Sequence, residues 1–207
     1  MNIERPGKII GVGRNYVAHA AELGNTVPTK PLLFLKPPSA VIGDGDTIVL
    51  PPESARVEHE GEIGAVLGRR LHRAGEPEAA HAIAGITCVN DVTARDLQRS
   101  DEQWTRAKGF DTFCAMGPRI VAIRPETYAE LEVICRVNGD ERQHGHARDM
   151  VFSIPMLVSY VSQVMTLEPG DLIATGTPAG VGPLAPGDVV EVEIPGVGVL
   201  RNPVRKM

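Results

Sequence analysis

Aromatic side chains are scarce in this chain: Phe, Trp and Tyr make up 4% of its 207 residues. A core must therefore rest on Val, Ile, Leu and Ala, which a hydrophobic content of 43% can supply. No apolar run approaches the roughly 18 residues of a membrane-spanning helix, and residues 1–7 lack the apolar centre of a signal peptide. There is no basic stripe, and the net charge is −5, which argues against nucleic acid as a partner. Cysteine is also rare. Cys88, Cys114 and Cys135 are odd in number and form no C-x-x-C pair. That speaks against a zinc knuckle or a disulfide framework and fits reduced thiols in a cytoplasm.

What the chain has is punctuation. Its 22 glycines and 17 prolines are spread along its length, so segments are short and strand-dominated. The spacing predicts strands over 8–12, 32–35, 47–50, 56–67, 85–90, 131–137, 141–144, 171–175, 188–194 and 197–200. Helices are expected over 15–23 (stopped by Gly24-Asn25), 78–84, 93–99 and 154–165. Thr93 with Asp96 reads as a capping box. Asn138-Gly139-Asp140 reads as a hairpin turn, and Ser153 with Pro155 as the entry to the last helix. With no repeat and no linker, residues 1–207 form one expected domain. Within it, an N-terminal segment 1–55 carries a lid helix, and 56–207 form the metal-binding core.

The segment Val57 to Ile63 holds Glu58, Glu60 and Glu62 at alternate positions. Side chains alternate across a strand, so all three share a face, successive members about 6.6 Å apart. A row of like charges calls for water or a cation. Alone, the pattern also suits an edge strand with a solvated acidic face. Asp91, at the end of the strand over 85–90, adds a carboxylate where a strand runs into a helix. Two glutamates one pleat apart plus an aspartate form an all-oxygen set, which favours Mg²⁺ or Mn²⁺ over Zn²⁺.

At these residues the chain resembles the fumarylacetoacetate hydrolase superfamily. The blocks that carry the resemblance are Gly11-Val12-Gly13-Arg14-Asn15-Tyr16, Phe34-Leu35-Lys36-Pro37, Glu58 to Gly64, Asn90 to Gln98, Ala107 to Asp111 and Thr175 to Gly182. The resemblance implies metal ligands at Glu60, Glu62 and Asp91, with Glu58 a neighbouring surface or supporting group. It implies an α+β, strand-dominated fold, a mixed β-sandwich roll with few short helices, and a homodimer. The larger N-terminal domain of fumarylacetoacetate hydrolase itself is lacking. The expectation is therefore the branch of acylpyruvate hydrolases, oxaloacetate decarboxylases and the 2-hydroxyhepta-2,4-diene-1,7-dioate isomerases of aromatic catabolism.

His19 and Glu22 are three apart on one helix and share a face with Tyr16. A carboxylate against an imidazole raises its basicity, although a surface His near a Glu is commonly incidental. The resemblance makes His19 with Glu22 a water-activating dyad on the lid. It makes Lys108 an active-site lysine, in place of the solvated surface lysine that composition alone suggests. It places Arg95 and Gln98 beside the metal, and Thr177 on a substrate carboxylate, with Arg14 a further candidate for that carboxylate. Other readings fail. Gly11-Val12-Gly13 is followed by Tyr16 where a dinucleotide fingerprint needs its third glycine. His144-Gly145-His146 reads as a surface loop beside the hairpin turn. No motif supports a nucleophilic cysteine, and the Met and Leu residues of 154–165 read as core.

The expected activity is a divalent-metal-dependent C–C hydrolase of acylpyruvate-type β-diketo acids working through a pyruvate enolate. Oxaloacetate decarboxylation and hydroxydienedioate isomerisation share that enolate. The rival from another class is a non-catalytic metal- or dicarboxylate-binding protein on the same scaffold. The intact constellation of Glu60, Glu62, Asp91, Lys108, His19 and Glu22 argues against it.

Overall fold

Ile63, Ala65, Val66 and Leu67 give the strand Gly61–Leu67 its apolar character, and all seven of its residues are buried, as befits a strand covered on both faces. It lies at the centre of the molecule, described here from a computed structural model for residues 5–22, 24 and 26–207. Leu23 and Asn25, the expected end and stop of the first helix, lie outside the described residues.

Around Gly61–Leu67 runs a mixed seven-stranded sheet, in spatial order Leu32–Lys36, Ile9–Gly13, Leu172–Ala174, Gly61–Leu67, Ile83–Asp91, Cys114–Val121 and Val41–Ile42. A five-stranded sheet packs beside it, built from the hairpin Glu132–Val137 and Asp140–His146 with Val189–Ile194, Gly198–Lys206 and Ile48–Leu50. A three-stranded ribbon joins Gly182–Pro183, Val57–His59 and Thr93–Ala94. The main core lies between the sheets, where Ile63, Ile86, Cys88, Cys135, Val192 and Leu200 meet. Helix Ile154–Val164 closes a second core with Leu157, Val158 and Val161, and Ser153 caps it by accepting from the Met156 amide. No helix among the described residues is long and apolar enough to cross a membrane.

Most expected elements are present, but four readings need correction. The strand over 56–67 is two strands, Val57–His59 and Gly61–Leu67, broken at Glu60. There the Asn90 side chain takes the Glu60 amide, and the Asp91 amide donates to the Glu60 carbonyl. The Thr93–Asp96 capping box does not form. Thr93 instead pairs with Glu58 in the ribbon, its hydroxyl donating to the Asp91 carbonyl. Asp96 instead accepts from the Ser54 hydroxyl and the Ala55 amide, so the helix begins at Arg95. His144-Gly145-His146 is not a loop but the end of a strand: the hairpin closed by Asn138 (φ 56°) and Gly139 (φ 86°) shifts register by one residue between Cys135 and Arg136 and continues pairing to His146 opposite Glu132. Tyr16, expected on the same helix as His19 and Glu22, precedes helix Val17–Glu22; it is 3% exposed and belongs to the core.

The glycines before Arg14 have a packing explanation. A Cβ on Gly11 would stand 2.1 Å from the Phe34 ring, and one on Gly13 would stand 2.9 Å from Trp104. Those two rings pack edge to face with centroids 5.5 Å apart, and Trp104 lines the cavity described below. Gly11→Ala is therefore expected to lower stability by roughly 1–3 kcal/mol or more, the scale of an overpacked core. An unchanged urea-unfolding midpoint would contradict this packing.

Candidate active site

The break at Glu60 brings three carboxylates together. Glu60 sits between the two strands, Glu62 follows one pleat later, and Asp91 ends the neighbouring strand Ile83–Asp91. One oxygen of each lies within 4.8 Å of the others, and all three residues are buried. Glu58 does not lie with them. It is 2% exposed, a buried group rather than a surface one, and it holds Arg95 at 2.6 Å and Arg56 at 2.6 Å.

Buried cations neutralise part of this charge. Arg95 bridges Glu58 and Glu60, and a third nitrogen bond of 2.5 Å reaches Gln98. Lys108 donates to Glu60 at 2.8 Å and to Asp91 at 2.6 Å. Lys36 donates to the other Asp91 oxygen at 2.5 Å and to the Val92 carbonyl. Composition alone suggested a surface Lys108; it is 2% exposed, with its ammonium 4.8 Å over the Phe34 ring.

The electrostatic consequences differ between the carboxylates. Burial pushes the Glu60 carboxyl upward, but Lys108 and Arg95 outweigh it and hold the group well below the usual range. Burial also raises Glu62, and there the charges of Asp91 and Glu60 push further, so its carboxyl lies well above its ordinary value. The Gly176 amide, donated at 2.8 Å, offsets this only in part. Gly176 has φ +102°, and a Cβ there would stand 2.7 Å from that of Asn15, so the residue must be glycine. Burial disfavours a charged Lys108, yet Asp91 and Glu60 raise its affinity for the proton.

Four buried carboxylates thus face three buried cations, with Glu62 the least compensated. The donor set is all oxygen, with no thiolate or imidazole among the three. It fits a hard divalent cation, which would relieve the repulsion on Glu62.

Over the carboxylates opens a cavity of about 280 Å³. It is lined by Arg14, His19, Glu60, Glu62, Asp91, Arg95, Gln98, Lys108 and Thr177, all expected from the sequence, together with Phe34, Arg99 and Trp104, which were not. Arg14 reaches it from a backbone at φ 60°.

His19 is 5% exposed on helix Val17–Glu22 and faces the cavity. Its Nδ1 lies 3.2 Å from Glu22 Oε2. A carboxylate only accepts, so Nδ1 carries the proton and Nε2 keeps the lone pair of a base. Glu22 does not line the cavity; it is exposed and accepts from the Gly180 amide at 3.0 Å. Asn15 anchors the start of this segment with side-chain bonds to Phe152 and Thr175. The Thr177 hydroxyl donates to the Gly61 carbonyl at 2.9 Å and accepts from Gln143 at 2.7 Å.

Two further participants, outside the cavity lining, escaped the sequence reading. Lys36 lay within a motif that carried the resemblance, but nothing local marks a lysine ending an apolar strand as buried against Asp91. Gln143 belongs to a hairpin far along the chain. Lys36→Met should leave Asp91 less compensated. The metal-free protein is expected to melt lower, and added Mn²⁺ to restore more stability than in the wild type. Calorimetric scans with and without Mn²⁺ measure this; an unwidened gap would contradict it.

A profile described as Fumarylacetoacetate (FAA) hydrolase C-terminal matches residues 8–205. A mitochondrial oxaloacetate tautomerase of Bos taurus is 42% identical over 214 aligned residues, covering 98% of this chain and 68% of that protein. A mitochondrial oxaloacetate decarboxylase of Dictyostelium discoideum is 42% identical, covering 92% of this chain and 89% of its own. Among solved structures, a 5-carboxymethyl-2-hydroxymuconate delta-isomerase of Mycobacterium smegmatis superposes with a TM-score of 0.90 at 46% identity, covering 98% of this chain and 80% of that one.

Proposed function

This chain belongs to the fumarylacetoacetate hydrolase family, and from that premise we propose that it is a Mg²⁺- or Mn²⁺-dependent enzyme cleaving the C–C bond of acylpyruvate-type β-diketo acids. The observation that supports this reading is the shared cavity: a Glu22-oriented His19 faces the space over Glu60, Glu62 and Asp91. Glu60, Glu62 and Asp91 would hold the cation, which would supply Lewis-acid polarisation of the 2-keto group. His19 Nε2 takes a proton from water, and the hydroxide adds to the distal carbonyl. The C–C bond then breaks toward the pyruvate half, and the protonated His19 returns its proton to the departing carbon. Glu22 supports the imidazolium between these steps, and the Lys108 ammonium offsets negative charge on the enolate oxygen. Thr177, Arg95, Gln98 and Arg14 orient the carboxylate.

A second reading is oxaloacetate tautomerisation or decarboxylation, or hydroxydienedioate isomerisation, over the same enolate. It draws on the names of the relatives and on Arg14 and Arg99 at the cavity, which suit a second carboxylate. Purified protein with Mg²⁺ assayed against acetylpyruvate, oxaloacetate and a hydroxydienedioate separates the two. Fastest turnover is expected on acetylpyruvate; activity confined to the other two would replace hydrolysis by the second reading.

The same proposal includes a homodimer with helix Val17–Glu22 as a lid. Light scattering at micromolar concentration should give twice the chain mass, and oxalate should increase amide protection over residues 17–22. A monomer, or unchanged protection, would remove the corresponding part.

A further inference from the structure

We infer that Gln143 is a positioning residue of this site: its amide aims the Thr177 hydroxyl as a donor toward the cavity and braces Gly61, between Glu60 and Glu62 at the strand break. The inference rests on the proposed binding of a 2-oxo acid through its carboxylate. Gln143 belongs to strand Asp140–His146 of the five-stranded sheet, yet its buried side chain ends against Gly61 of the seven-stranded sheet, His59 of the ribbon, and Thr177 and Pro178 in the segment before Gly182–Pro183.

Its orientation follows from two main-chain groups of fixed polarity. The Gly61 amide can only donate, and it lies 3.0 Å from Oε1. The Pro178 carbonyl can only accept, and it lies 2.7 Å from Nε2. The second Nε2 hydrogen then points at Thr177 Oγ1, 2.7 Å away. Thr177 must accept there, so its own proton is free for another oxygen. In this structure that oxygen is the Gly61 carbonyl, at 2.9 Å. A ligand carboxylate in the cavity competes for the same proton, and a rotation about one bond delivers it without disturbing the Gln143 contact. The remaining lone pair of Oε1 faces His59 Nδ1 at 3.0 Å, which sets that imidazole as the Nδ1–H tautomer. All four hydrogen-bonding positions of the amide are thus used. Gly145, two residues on, allows this approach: a Cβ there would stand 2.6 Å from that of Pro178.

The test uses oxalate with saturating Mg²⁺, measured calorimetrically on wild type, Gln143→Glu, Thr177→Val and the double variant. A carboxyl at 143, charged or neutral, cannot donate to both Pro178 and Thr177. Gln143→Glu is therefore expected to weaken oxalate roughly 10- to 100-fold, the scale of one hydrogen bond to a charged group. Its Mg²⁺ affinity without oxalate should be no weaker than that of the wild type. The double variant should lose no more than the worse single one, because both act through one hydroxyl. Undiminished oxalate binding by Gln143→Glu, or fully additive losses, would overturn the inference while leaving the functional reading intact. A wild type that binds no oxalate with Mg²⁺ would overturn both. If Gln143→Glu fails to fold, the Gln143 side-chain amide signals of ¹⁵N-labelled wild type decide: they should shift on adding oxalate with Mg²⁺, and unmoved signals overturn the inference.

Discussion

Glu60→Ala is expected to abolish turnover and to weaken Mn²⁺ binding by more than the roughly 10- to 100-fold typical of losing a partner outside the coordination shell. Glu60 is the carboxylate at the strand break, and it accepts from both Arg95 and Lys108. Its removal takes one oxygen donor from the set of three and leaves two buried cations with one fewer partner each. Breaking a buried pair commonly costs about 3–5 kcal/mol. Here the cost should be smaller, since Arg95 keeps Glu58 and Lys108 keeps Asp91. Titration calorimetry with Mn²⁺, beside urea unfolding, separates the two effects. Full metal affinity with full turnover in this variant would refute the ligand set.

His19→Ala carries the second large effect. Hydrolysis of acetylpyruvate is expected to fall by roughly 10²–10⁴, the usual contribution of a positioned general base. Mn²⁺ affinity should persist, because His19 lines the cavity but is not among the three clustered carboxylates. The helix should survive too, since Ala favours helix and Asn15 still anchors its entry. Oxaloacetate chemistry needs no water nucleophile, so it should suffer less than hydrolysis in the same variant. Steady-state rates on both substrates measure the contrast. Undiminished acetylpyruvate hydrolysis would demote His19 to a cavity wall.

Part of the site was legible in the local pattern. Alternating glutamates plus a strand-end aspartate marked a carboxylate cluster, and the resemblance singled out Glu60, Glu62 and Asp91 within it, which the structure places within 4.8 Å of one another. The His19–Glu22 contact was equally legible, being an i, i+3 pair on one helix. Strand content, the hairpin turn at Asn138-Gly139 and the capped helix Ile154–Val164 follow from periodicity and turn chemistry. Such features depend on residues within a few positions of each other, and sequence spacing describes those directly. The alternation of Glu58, Glu60 and Glu62 misled in one respect. It took the segment for one straight strand, whereas the strand breaks at Glu60, where Asn90, 30 residues on, accepts from the Glu60 amide, and Glu58 pairs with Arg95 instead of joining the carboxylate cluster.

Chain composition and spacing thus determined a strand-dominated fold, an all-oxygen carboxylate set and an imidazole–carboxylate pair. Tertiary structure alone decided how the charges balance. Lys36 is 55 positions from Asp91 and Gln143 is 82 from Gly61, yet each is buried against its partner. Burial removes water as the alternative partner, so the polarity and charge of such groups are set by whichever distant residue the sheets bring within about 3 Å.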